Sequence, residues 1–313
     1  MKTLMLFTVC LMSSAVSAAT EYEQEYVHLG EVEPGKRLPE GENYHALPDW
    51  NNLPEAHFGE AVKKGYTLFT DTQSLKEQGV IKGGLNCVNC HLNAGRLAGG
   101  APLWAAYVAY PAYRSKNDRV NTFEDRLQGC FRYSMNGGDK VPALDSDEIR
   151  ALTAYSYWLA TNAPVNSQLP GRGYFSADKP AQAPDFARGK AVYQEQCAFC
   201  HAQNGEGRKA EGRYVFPPLW GEDSYNWGAG MHQINTAAAF IKTNMPLGMG
   251  NTLTDQQAWD VALYINSQNR PQDPRFTGNV KETAEKYHAH QGMYGKPSPA
   301  DKHILGDPAQ QPK

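Results

Sequence analysis

The chain lacks the marks of several large protein classes. It has no excess of positive charge: 30 Lys and Arg stand against 33 Asp and Glu, a formal net charge of −3. A nucleic-acid-binding surface needs a strong basic footprint, so neither DNA nor RNA is expected as a partner. It has no apolar run long enough to cross a bilayer, which takes roughly 20 residues. The run from Leu4 to Met12 is well short of that. It follows Lys2 and precedes small residues ending at Ala18 and Ala19, so residues 1–19 read as a signal peptide and not as a membrane anchor. A periplasmic location is expected. Cysteine is scarce too, with six in 313 residues. Cys10 leaves with the signal, and an odd number remains, which a simple disulfide framework cannot use up.

Four of the remaining cysteines lie in two copies of one motif, Cys87-Val-Asn-Cys90-His91 and Cys197-Ala-Phe-Cys200-His201. CxxCH attaches haem c: two thiols add to the vinyl groups and the adjacent histidine binds the iron. Matching zinc-type pairs are missing. Two covalent haem c groups are expected, held by Cys87, Cys90, Cys197 and Cys200, with His91 and His201 on the irons.

The two halves repeat. Cys87 and Cys197 stand 110 positions apart, as do Met135 and Met245. Pro102-Leu103-Trp104 recurs as Pro218-Leu219-Trp220, and Gly65 with Leu68-Phe69 as Gly189 with Val192-Tyr193. Each half then ends in an apolar-faced helix. One starts at Ser146 and presents Leu152, Tyr155 and Leu159; the other starts at Thr254 and presents Trp259, Leu263 and Ile265. Ser146 or Asp145 can cap the first, and Thr254 with Gln257 forms a capping box on the second. This order resembles the class I cytochrome c domain. The expected fold is all-α, two such domains in tandem: 20–165 with the catalytic haem and 166–275 with the exit haem. A polar, Pro/Gly-bearing connector runs over 162–184, and a tail over 276–313. The stretch from Thr70 to Gly84 reads as a loop insertion.

Each haem iron needs a second ligand. In the second half Met245 is the first choice, in an Asn-Met-Pro turn 44 residues after His201. Met249, Met231 and Lys242 are its rivals. In the first half the repeat points to Met135, but Cys130 competes. It is the unpaired cysteine, and Arg114, Lys116, Arg119, Arg126 and Arg132 all lie near it in sequence. Cations favour a thiolate and an anionic substrate. The residues alone leave Cys130 and Met135 open.

The two haem motifs, TFEDRLQGCFRYSMNG and AAFIKTNMPLGMG, together with PPLWGEDSYNWGAGM and the RPQDPR segment, resemble the dihaem thiosulfate dehydrogenase family. The resemblance implies Cys130 as distal ligand of the first haem and Met245 of the second. It implies thiosulfate and tetrathionate as substrate and product, reversibly in some members, and a soluble cytochrome c or similar periplasmic electron acceptor. It assigns anion binding to Arg126 and Ser134, with Arg114 or Arg119 beside them. Arg132 stands one place from the family's arginine, a turn of about 100° on a helix, and receives no role. Asn244, not lysine, precedes Met245. The rival reading is a non-catalytic dihaem electron shuttle with Met135 as ligand. A dihaem peroxidase is disfavoured, because His232, His288, His290 and His303 form no acid/base constellation in the sequence.

Overall fold

The computed structural model describes residues 44–310 apart from 138–139 and 289–291. The expected signal peptide, 1–19, lies outside the described residues, and His290 does so as well. In the first half, helix α1 (Ala56–Thr70) precedes the Cys87 motif. A short helix α2 (Leu103–Tyr107) follows, then a hairpin of β1 (Ala112–Arg114) and β2 (Arg119–Asn121). Next come α3 (Phe123–Gly129), a π-helical turn over Cys130–Ser134, and α4 (Asp147–Leu159). The second half begins with α5 (Phe186–Gln196), running into the Cys197 motif. A hairpin of β3 (Arg208–Ala210) and β4 (Arg213–Phe216) follows, then α6 (Ile234–Asn244) and α7 (Asp255–Asn266). Helix α8 (Val280–Tyr287) lies in the C-terminal segment.

Each half is built on a crossing of its first and last helices, α1 with α4 and α5 with α7. The two repeated glycines sit at these crossings. A Cβ at Gly65 would lie 2.1 Å from the Ala151 carbonyl oxygen, and one at Gly189 would lie 2.0 Å from that of Asp260. Only glycine lets the backbones approach this closely. The caps form as the sequence implies: Ser146 accepts from the Ile149 N–H, and Thr254 and Gln257 close a capping box. Leu152, Tyr155 and Leu159 of α4 are buried. Burial of side chains of this size stabilises by about 1.5–3 kcal/mol each. The Tyr155 hydroxyl also donates to the Ala94 carbonyl, tying α4 to the loop after the first haem motif.

Two expectations change. The fold is not purely helical, because two antiparallel hairpins are present. The second turns at Glu211-Gly212, both at positive φ, the condition for a type I′ turn. The buried face of α7 is Ala258, Val261, Ala262, Tyr264 and Ile265, while Trp259 and Leu263 are half-buried. The Trp259 indole donates to the Asp178 carbonyl instead, holding the connector. In the C-terminal segment Tyr294 and Leu305 form a small third core with Trp227. The stretch after Thr70 contains a 3₁₀ turn at Thr72–Leu75 that buries Leu75.

The two main cores interlock. Leu92, directly after His91, belongs to the second-half core, and Tyr225 and Ala229 belong to the first. Among the described residues no helix is long and apolar enough to cross a membrane.

Candidate active site around Cys130

The first haem motif is set by local hydrogen bonds. Asn86 N–H donates to Asn89 Oδ1 at 2.7 Å, and Thr72 Oγ1 accepts from Cys87 N–H at 3.1 Å. His91 Nδ1 lies 2.6 Å from the Ala101 carbonyl, just before Pro102. In the second half His201 Nδ1 lies 2.9 Å from the Pro217 carbonyl, just before Pro218. Both carbonyls therefore fix the ring and leave Nε2 for iron. This is the orientation that a haem c histidine requires.

Cys130 opens the π-turn at the end of α3, whose first turn is fixed by a capping box between Thr122 and Asp125. One cavity is lined by Cys87, Cys90 and His91 and also by Cys130, Arg126, Arg114, Ser134 and Met135. The apolar remainder of its wall includes Phe69, Leu103, Phe123, Leu127 and Leu152. Two thiols and an oriented imidazole, a further thiol and apolar walls fit a covalently attached macrocycle. Among the described residues no cluster of three or more His, Cys, Asp or Glu suits a bare metal ion.

Arg126 lies one turn before Cys130 and its guanidinium donates to Cys130 Sγ at 2.7 Å. Burial pushes the Cys87 and Cys90 thiols up to about 12. Burial also opposes a Cys130 thiolate, but the Arg126 guanidinium and the His91 imidazole outweigh it and bring Cys130 down to about 7. The same fold thus favours ionisation at Cys130 and disfavours it at Cys87 and Cys90.

The other sequence-designated residues separate. Arg114 lines the cavity and donates to Tyr110 Oη at 2.9 Å. Ser134 lines it too, and Met135 supplies buried apolar wall. Arg119 does not join the site. Its guanidinium pairs with Asp125 at 2.6 Å and is more than half exposed, because β2 aims it along the surface. Arg132 is exposed and outside the cavity lining. Arg172, from the connector, lines the cavity, and Tyr174 donates its hydroxyl to the Cys90 carbonyl at 3.0 Å. Neither residue carries a local signal in the sequence, since 162–184 has only the composition of a linker.

In the second half Met245 caps the end of α6, half-buried against the core that holds Cys197. The three other candidates sit in different surroundings. Met249 is 55 % exposed, and the Lys242 ammonium is held by the Leu253 carbonyl at 2.7 Å. Met231 packs between the two cores.

Residues 76–165 match the family model for the SoxA/TsdA cytochrome c domain. Residues 184–265 match that for subunit III of cbb3-type cytochrome c oxidase. A thiosulfate dehydrogenase of Stutzerimonas stutzeri (strain A1501) is 52% identical over 300 residues, covering 95% of this chain and 96% of the relative. The chain belongs to the thiosulfate dehydrogenase family. A second member, from Thiomonas intermedia (strain K12), is 50% identical over 83% of this chain and 82% of its own. The solved thiosulfate dehydrogenase (TsdBA) from Marichromatium purpuratum, in its "as isolated" form, superposes with a TM-score of 0.82 at 49% identity. That match covers 84% of this chain and 57% of the longer TsdBA chain. As a member of this family with two cytochrome c domains, each bearing CxxCH, the chain carries two covalently bound haem c groups.

Proposed function

We propose that this chain joins two thiosulfates into tetrathionate at the Cys130 cavity and passes the two electrons to an external acceptor. The supporting observation is the Arg126–Cys130 contact at 2.7 Å in a cavity that Cys130 shares with His91. Cys130 and His91 would hold the first iron, and Met245 and His201 the second. When bound, the two haems supply one-electron acceptance twice and an exit route for both electrons.

The Cys130 thiolate bonds to the outer sulfur of one thiosulfate with loss of two electrons, leaving a cysteine S-thiosulfonate. The second thiosulfate attacks that outer sulfur, the Cys130 sulfur leaves as thiolate, and tetrathionate is formed. Atoms and charge balance in both steps, and the reverse sequence reduces tetrathionate. Arg126 serves the thiolate first. Arg114 and Ser134 then face the dianions, whose mutual repulsion in a low-dielectric cavity would otherwise reach several kcal/mol. Met245, a thioether, favours reduced iron and draws electrons toward the second half. Catalysis is accordingly assigned to 20–165 and electron exit to 166–275. The acceptor is a soluble cytochrome c or similar carrier, in the periplasm if residues 1–19 act as the signal.

Cys130→Met tests this. A thioether neither becomes a thiolate nor carries a sulfane sulfur, so thiosulfate oxidation should fall by about 100-fold or more. Low-temperature EPR of the ferric protein should lose its His/thiolate signal while both haems remain attached. Full activity would show that Cys130 is neither the catalytic thiol nor a required ligand, and would leave Met135 as the native ligand.

A further inference from the structure

The π-turn that carries Cys130 is finished by a residue from the other half of the chain. A helix end leaves its last carbonyls without intrahelical donors, and a π-turn is a local excursion that needs support from outside. Within the turn, the Met135 N–H reaches the Cys130 carbonyl at 3.0 Å. Asn226 donates to two carbonyls of the turn, of which that of Tyr133 also accepts from the Asn136 N–H at 3.3 Å. The Asn226 side-chain amide donates to the Arg132 carbonyl at 2.9 Å, and its backbone N–H donates to that of Tyr133 at 3.2 Å. The same Nδ2 donates to Asn136 Oδ1 at 3.2 Å. Asn226 is fully buried.

Asn226 is itself held in place. Its Oδ1 accepts from the Gly228 N–H at 3.0 Å, and its carbonyl accepts from Ala229 N–H at 2.9 Å. Gly228 packs on the Tyr133 ring, where a Cβ would lie 2.4 Å from Tyr133 Cδ1. Lys116 closes the other side, donating to the Gly228 carbonyl with its ammonium 3.7 Å from the Tyr133 ring centroid. The loop bearing Asn226 continues directly from Pro217, whose carbonyl orients His201.

We propose that Asn226 is a positioning residue for the first haem's distal side: it locks the π-turn from the second half and so fixes where Cys130 and Ser134 point into the cavity. The inference rests on the reading of Cys130 as distal ligand. It explains why the PPLWGEDSYNWGAGM segment, which contributes nothing to the cavity wall, buries a polar side chain against the cysteine turn. The first-half site is incomplete without this loop.

The test uses the purified dihaem protein carrying Asn226→Asp or Asn226→Ala. The aspartate keeps the shape and the acceptor for Gly228 but turns an acceptor toward the Arg132 carbonyl. Both variants should shift or split the ferric EPR signal of the first haem and leave that of the second unchanged. The kcat for thiosulfate should fall by about tenfold or more, as expected when a reacting group is misplaced by a fraction of its bond length, with KM within about twofold. An unaltered first-haem signal with unaltered kcat would overturn the proposal. So would equal changes at both haems, which indicate general loosening. If neither variant assembles, Asn136→Ala removes one partner only and should move the first-haem signal in the same direction; no movement there counts against the idea. Cys130→Met separates the two readings. If it leaves the first-haem signal unchanged, the ligand assignment and this inference fall together. If it changes the signal and the Asn226 variants do not, only this inference falls.

Discussion

Arg119 and Arg126 are both arginines of one basic stretch, yet their surroundings give them different chemistry. Arg119 is exposed and paired with Asp125, a type of contact worth about 0–1 kcal/mol. Arg126 donates to a half-buried sulfur at 2.7 Å. A charge-assisted bond of this kind is about twice as strong as a neutral one. An anion clamp standing apart from the iron ligand would leave the haem spectrum alone when removed. This contact implies otherwise. Arg126→Gln should lower thiosulfate turnover by about tenfold or more, since its charge acts on the reacting thiolate. It should also lower the potential of the first haem, because losing a cation beside the thiolate strengthens sulfur donation to ferric iron. Arg119→Gln should stay within about twofold of the unaltered enzyme. Steady-state assays with a potentiometric titration check both, and equal effects of the two substitutions would refute the distinction.

At the level of elements, the helix crossings fix the frame that carries the site. Gly65 was legible in the sequence because it recurs as Gly189 at the same place in the repeat, and the crossing shows why. Gly65→Ala would place a methyl carbon 2.1 Å from the Ala151 carbonyl, so α1 and α4 must separate. The expected loss is about 1–3 kcal/mol, the usual penalty for overpacking. A urea titration of the holoprotein followed by far-UV circular dichroism would record it as a lower midpoint. An unchanged midpoint would mean that the crossing tolerates a wider spacing than its geometry implies. The hairpins show the opposite case. Strands of three and four residues are too short for a period-2 pattern to stand out, and Glu211-Gly212 is a weaker turn signal than Asn-Gly.

Across the whole molecule, the C-terminal segment folds back and is held by a buried charge cluster. Asp273 receives His288 Nε2 at 2.9 Å and the Arg275 guanidinium at 2.7 Å. Burial works against the Asp273 carboxylate, but these two partners outweigh it and hold the carboxyl well below its usual range. A carboxyl depressed in the folded state stabilises fully above its unfolded value, about 3.9. That stabilisation fades as pH falls from there toward the folded value. Asp273→Asn should therefore be less stable than the unaltered protein at pH 7, with the gap narrowing below about pH 4. Urea midpoints of both proteins at the two pH values measure it. A gap that stays constant with pH would show that the carboxylate charge is not what matters.

By itself the sequence determined the covalent chemistry and the repeat. CxxCH spacing, paired glycines, Pro-Leu-Trp segments and capping signals are local patterns whose physical meaning does not depend on distant residues. It also narrowed the distal ligands to a few side chains, because those must follow the proximal histidine within one domain. Only the tertiary structure separated Arg126 from Arg119, brought Arg172 and Tyr174 from the connector to the first haem motif, and placed Asn226 on the Cys130 turn. These depend on which surfaces meet across long sequence separations. Such meetings are decided by packing of the two cores and by the need to give every buried carbonyl and amide a partner, which no short stretch of sequence encodes alone.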